Sequence, residues 1–135
     1  MKSELEIINL MLIQDRFSKL LNVQLIEIRK GFCIVGLEVK DKLVNGFDIA
    51  HGGITYSLAD TAAAFAANSY GNKAMSIESS ISHIQACKKN DFLIATTSEI
   101  SRNRKFGIYA VEVKTKKDSV VAHYKGNYYF SEKKW

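Results

Sequence analysis

The chain has 135 residues, of which 47% are hydrophobic and 24% charged; that length supports one core, 1–135 as a single domain, and the balance excludes disorder. Lys and Arg exceed Asp and Glu to give a net charge of +5, but the basic residues are scattered, and the densest cluster, Arg102, Arg104 and Lys105, has no interleaved aromatic platform, so no nucleic-acid partner is expected. No apolar run approaches the roughly 20 residues of a bilayer span, the run Ile7 to Ile13 follows Glu4 and Glu6 and precedes no small-residue cleavage site, and Cys33 and Cys87 sit at neither metal-ligand nor disulfide-framework spacing. These features predict a cytoplasmic chain with reduced thiols, no metal and no membrane partner.

In chain order, the first predicted element is one helix, because Leu10, Ile13, Phe17 and Leu20 recur at three- and four-residue spacing while Asp15, Arg16 and Lys19 take the other side. Two alternating runs follow, at 23–29 and 32–40, the second placing Cys33, Val35, Leu37 and Val39 on one face, with Gly31 as the turn between them. After a polar loop ending near His51, the stretch from Gly53 to about Tyr70 is alanine-rich and free of β-branched runs, which predicts a long helix capped near Gly71. Four more strands are predicted at 74–84, 92–100, 107–115 and 119–130, with Asn103, Lys117 and Asp118 in the turns. Helix, two strands, long helix and four strands is an α+β order with an antiparallel sheet. Ala59, Ala62, Ala63, Ala64, Ala66 and Ala67 leave the long helix almost no bulk, as expected if the sheet wraps around it.

Asp60 stands in the middle of that apolar helix, where aspartate is a poor helix former. A carboxylate buried there must be hydrogen-bonded or paired, and such groups concentrate at functional sites; periodicity alone leaves open whether Asp60 faces the core or solvent. His51-Gly52-Gly53 precedes the helix. Two glycines let another molecule approach the backbone, where the unpaired N–H groups of a first turn can receive developing negative oxygen; a flexible loop entering a helix has the same composition. His83 and His123 lie on strands and are expected to pack or to meet a partner copy.

The segment from Asn45 to Ala62, reading NGFDIAHGGITYSLADTA, closely resembles the signature of the PaaI-like (phenylacetic acid degradation type) hotdog-fold acyl-CoA thioesterases. The likeness runs on through Asp91-Phe92-Leu93, Arg102-Asn103-Arg104, Tyr109 to Val113 and Val121 to Gly126. It implies a hotdog fold, an antiparallel sheet around a long central helix with an N-terminal packing helix. It also implies hydrolysis of an acyl-CoA thioester with no cofactor beyond the coenzyme A of the substrate.

Carried over residue by residue, the resemblance makes Asp60 the general base or nucleophile and the Gly53 N–H the oxyanion donor. Asn45 and His51 orient the thioester across a subunit interface, and Ser76 holds water. Gly52 and Thr61 contact substrate, while Arg102, Arg104, Lys105, Lys88 and Lys89 either bind CoA phosphates or keep the surface solvated. The family's proline and glycine are missing from Ala86-Cys87-Lys88-Lys89-Asn90, which bears on CoA contacts there. A homo-oligomer, dimer or dimer of dimers, is expected, because one sheet leaves an edge and a face to cover. The rival reading is a non-catalytic acyl-CoA binding module on the same scaffold; the aspartate and histidine pairing of a hotdog hydratase is not found.

Overall fold

The computed structural model describes residues 1–135. Helices α1 (Glu4–Gln14) and α2 (Arg16–Leu21) lead into strands β1 (Gln24–Arg29) and β2 (Phe32–Glu38), a single turn of 3-10 helix (Asp41–Leu43) and helix α3 (Gly52–Asn68). Strands β3 (Asn72–His83), β4 (Phe92–Arg102), β5 (Phe106–Thr115) and β6 (Val120–Lys134) complete the chain. All six strands form one antiparallel sheet in the order β1-β2-β4-β5-β6-β3, so β3 leaves α3 and crosses to the far edge.

The core lies between α3 and the concave face of this sheet. Ala59, Ala62, Ala63, Ala66 and Ala67 are all fully enclosed, and beside Leu58 and Phe65 of α3 most of the bulk that fills the interface comes from the strands: Val35 and Leu37 of β2, Leu93 of β4, Tyr109, Val111 and Val113 of β5, and Tyr124 and Tyr128 of β6. A helix faced with methyl groups lets strands approach closely, and the strand side chains then interdigitate over it at interior packing density.

Two ends of α3 are pinned by different chemistry. At its C-terminus the buried Asn68 carboxamide donates to Ala64 O and Ala74 O at 2.8 and 3.0 Å and accepts from Ala74 N–H at 2.9 Å and the Trp135 indole at 2.8 Å. Every hydrogen-bonding position that this amide commits is satisfied by protein, which is the condition for burying it without penalty. Gly71 follows with φ of +97°, a left-handed conformation that glycine adopts at no steric cost.

The N-terminal region departs from the single packing helix that the spacing predicts. The chain breaks at Asp15, whose ψ of 90° is extended, and the Asp15 carboxylate accepts from Ser18 N–H at 2.9 Å to start a second helix. In α1 the buried pair is Ile7 and Ile8, with Ile13 65% exposed; the break resets the phase of α2, which buries Ser18 and Leu21 and leaves Phe17 and Leu20 54 and 79% exposed. A capping aspartate outcompetes continuation of the apolar stripe. Strand β6 also runs to Lys134, past the predicted end at 130, because Asn72 pairs with Lys134 and Trp135 reaches Asn68.

The methyl-faced helix makes a graded prediction. Ala63→Leu inserts volume into a closed contact and is expected to lower stability by about 1–3 kcal/mol, while Ala64→Leu, on the partly open side of α3, is expected to cost about 0.5 kcal/mol or less. Urea midpoints at unchanged slope measure the difference.

Candidate active site

The N-terminus of α3 is assembled by a loop stitched to the segment after β3. Asn45 Oδ1 accepts from Phe47 N–H at 2.9 Å, Asn45 N–H donates to Ile49 O at 2.8 Å, and Ala50 N–H donates to Cys87 O at 2.8 Å. His51 is the N-cap, with its Nδ1 accepting from Gly53 N–H at 2.9 Å and its carbonyl accepting from Ile54 N–H at 2.8 Å. An accepting Nδ1 puts the ring proton of the neutral imidazole on Nε2. The Gly53 amide, the oxyanion donor implied by the sequence, is therefore occupied within the chain, and the Gly52 N–H is the first-turn amide with no protein partner.

Gly52 lines a cavity of about 330 Å³ together with Asn45, Thr55, His83, Gln85 and Cys87. His83, read from the sequence as a packing or interface residue, lines this cavity: its Nδ1 lies 3.3 Å from Thr55 Oγ1, and a Cβ on Gly52 would stand 3.1 Å from its ring. His123 instead faces Glu112 at 3.7 Å on the neighbouring strand.

Asp60 is half-buried two turns further along α3 and points at β6, not at open solvent. Its Oδ1 accepts from the hydroxyls of Tyr124 and Tyr128, both at 2.8 Å, and the two hydroxyl oxygens are 2.9 Å apart. Burial first, and then the charge of Asp60, pushes the Tyr128 phenol far up; burial, with the same charge contributing, does so for Tyr124. Both tyrosines are thus neutral donors throughout the working range. The Tyr124 ring packs edge-on against Tyr56 at 5.7 Å, and the Tyr56 hydroxyl is bonded to Ser79 of β3.

Within one chain these groups do not converge. Gly52 and Asp60 are eight residues apart, about 12 Å along a helix axis. Ser76 lies exposed on β3 opposite Tyr128, and Thr61 bonds back to Ser57 O at 2.7 Å. The basic candidates separate into two groups. Lys88 is bridged to Ile49 beside the N-terminus of α3, with Lys89 on Asp41 at 3.2 Å. Arg102 stacks over Tyr70 at 3.8 Å just past the other end of α3, with Arg104 and Lys105 in the adjoining turn. The 17 residues of α3 rise about 25 Å, so one chain cannot bring both groups to one nucleotide. No cluster of three His, Cys, Asp or Glu is arranged to hold a metal ion, and no helix is long and apolar enough to cross a membrane.

Tyr124 and Tyr128 are the site residues that sequence reasoning passed over. The available signal was chemical: two tyrosines on the core-facing side of the last strand carry hydroxyls that need a partner once buried.

A curled six-stranded antiparallel sheet around one long helix is the hotdog arrangement, and the model of the thioesterase superfamily matches residues 47–122, more than half of the chain. The chain belongs to that superfamily as a PaaI-like hotdog thioesterase, a thioester hydrolase. It is 36% identical over 115 residues to a putative esterase of Archaeoglobus fulgidus, covering 85% of this chain and 75% of that one. It is 32% identical over 112 residues to the acyl-coenzyme A thioesterase PaaI of Escherichia coli, covering 83% and 80%. The solved structure of the E. coli PaaI protein superposes with a TM-score of 0.94 at 28% identity over 97% of this chain and 95% of that one. A Streptococcus mutans protein, smu.793, solved bound to acetyl CoA, superposes with a TM-score of 0.81 at 27% identity, covering 84% and 92%.

Burial pushes the Cys33 thiol up to about 12 and the Cys87 thiol, at the cavity wall, up to about 11. A raised thiol favours the protonated form, so its contribution to stability is whole below the unfolded value near pH ~8.5 and is lost as pH climbs through the folded value. Native protein at pH 8 is expected to show neither thiol to an alkylating reagent, and both after unfolding; stability should decline as pH rises above about 9. Rapid labelling of either cysteine in the folded state would contradict this.

Proposed function

We propose that this chain hydrolyses the thioester of an acyl- or aryl-acyl-CoA to the free acid and coenzyme A, with Asp60 as general base or nucleophile. The observation that carries the reading is a half-buried carboxylate on α3 with one oxygen tied down and Oδ2 left free of protein donors, on the same helix as an unpartnered N-terminal amide. Water deprotonated at Oδ2, or Oδ2 itself, adds to the carbonyl carbon. The carbonyl oxygen takes up negative charge, and the thiolate leaves as the tetrahedral species collapses. On the water route the thiolate takes up the proton that Asp60 abstracted, and on the direct route water then cleaves the acyl-aspartyl anhydride to the free acid.

The oxyanion belongs at the first turn of α3, where the Gly52 N–H is free and the helix dipole adds to it. The Gly53 N–H becomes available only when the His51 ring swings off it. Such a donor is worth about 2.7–4 kcal/mol of barrier. Asn45 keeps its loop in place through Oδ1 and leaves its NH₂ for the thioester, and His51 presents an Nε2 proton at the same mouth.

The roughly 12 Å between Gly52 and Asp60 along one helix supports a site shared by two copies, the first turn of one α3 facing Asp60 of another. Strand β3 is the sheet's outer strand and exposes Met75 and Ile77, each 58% accessible, a free edge suited to pairing with a second copy. The relative from E. coli carries the name of an acyl-coenzyme A thioesterase, and smu.793 was solved bound to acetyl CoA; both support coenzyme A as the leaving group.

The test is thiol release from a panel of short, medium, long and aryl-acetyl CoA esters. Wild type is expected to turn over at least one class, and Asp60→Asn to lose at least about a hundredfold in kcat. Near wild-type turnover by Asp60→Asn would overturn the assignment. Specific activity is also expected to fall on dilution as the oligomer dissociates, measured beside size-exclusion mass; a fully active monomer would refute the shared site.

A further inference from the structure

We propose that Tyr124 and Tyr128 are positioning residues of the hydrolysis, a pair of hydroxyls that clamps Oδ1 of Asp60 so that Oδ2 alone is presented to the reaction. This rests on the reading of Asp60 as the catalytic carboxylate and adds to it which oxygen reacts and what holds the other one still.

The geometry is unusual enough to need a cause. Tyr124 and Tyr128 share a face of β6 but are four residues apart, about 13 Å along a strand, yet their hydroxyl oxygens meet at 2.9 Å. They can do so because the residue between them on that face is Gly126. A Cβ there would stand 2.5 Å from the Tyr124 hydroxyl oxygen and 2.9 Å from the Tyr128 ring, so any side chain would force the two rings apart. With both hydroxyl protons directed at Oδ1 at 2.8 Å, neither tyrosine is bonded at the expense of the other.

Packing holds the pair in place. Tyr128 is fully buried and Tyr124 is 2% exposed. Tyr56 closes edge-on against Tyr124, and Tyr109 against Tyr128, each with centroids 5.7 Å apart. Tyr109 is itself tethered to Glu99 at 3.0 Å, which also takes the Tyr70 hydroxyl at 2.8 Å. Phenylalanine would fill the same volume on β6 without bringing a hydroxyl that needs an acceptor. The hydroxyls therefore answer to Asp60 rather than to packing.

Two donors on one carboxylate oxygen remove its rotation about χ2 and leave the second oxygen alone free to accept a proton from water or to attack the carbonyl carbon. Positioning of this kind contributes to the chemical step and not to uptake of substrate.

The experiment measures kcat and KM on the cleaved acyl-CoA for Tyr124→Phe, Tyr128→Phe, the double variant and Asp60→Asn, with thermal midpoints alongside. Each single variant is expected to lose about tenfold in kcat with KM within about twofold, and the double variant at least about a hundredfold. Asp60→Asn keeps an acceptor for both phenols and should stay folded but inactive. Wild-type kcat in the double variant beside an inactive Asp60→Asn would overturn the clamp and leave the catalytic carboxylate standing. An active Asp60→Asn would sink the reading of Asp60 itself. Loss of activity that tracks a fall in thermal midpoint, or that appears in KM, would mark the pair as structural and refute the proposal.

Discussion

The closeness of α3 to the sheet governs everything else in this molecule. A helix that turns mostly methyl groups toward the strands supplies little bulk to the core beyond Leu58 and Phe65, so most of the large side chains come from the strands. Long residues such as Tyr109, Tyr124 and Tyr128 lie flat over the alanine face, fully or almost fully buried. The Tyr109 hydroxyl turns to Glu99 of β4, whereas the polar tips of Tyr124 and Tyr128 end next to the helix. Asp60 is the group they find there, and the same closeness that packs the core brings two phenols of β6 within hydrogen-bonding distance of one carboxylate.

The choice of partner matters for a carboxylate proposed to react. An arginine opposite Asp60 would engage both oxygens in a bidentate pair and neutralise the charge, which satisfies burial and removes the nucleophile. Tyrosine hydroxyls are neutral, donate one proton each and here share a single oxygen, so desolvation is offset while half of the carboxylate stays unengaged. The N-terminal end of the helix shows a related economy. His51 caps the Gly53 amide with a ring nitrogen, and Gly52, which precedes it without a side chain, keeps an open N–H at the wall of the cavity.

Much of this fold was legible in the residues because each signal was local. The alanine content of α3, the strict alternation of β6 and the glycines at turns depend only on neighbours in sequence, and the motif around Asp60 carried the family. What escaped depended on contacts between distant residues. The break at Asp15 is decided by one side chain capping Ser18 three residues on, against a spacing of apolar residues that favoured continuity. The end of β6 is set by Trp135 reaching Asn68 across 67 positions. The tyrosine pair on Asp60 requires the register of β6 beneath α3, whereas the division of the basic residues into two groups follows from their places at opposite ends of β4.

The crossover of β3 to the far edge of the sheet bears on how a second copy would complement this chain under the proposed reading. Because β3 leaves the C-terminus of α3 and ends at His83, beside Gly52, it spans the helix from end to end along an open edge. Two such edges paired antiparallel about a two-fold axis near Ser79, which meets Tyr56 midway between Gly52 and Asp60, would set the first turn of one α3 level with the middle of the other. The separation of Gly52 from Asp60 is an obstacle for a monomer. Under that symmetry it becomes a means of building two equivalent sites, each with its oxyanion amide from one copy and its clamped carboxylate from the other.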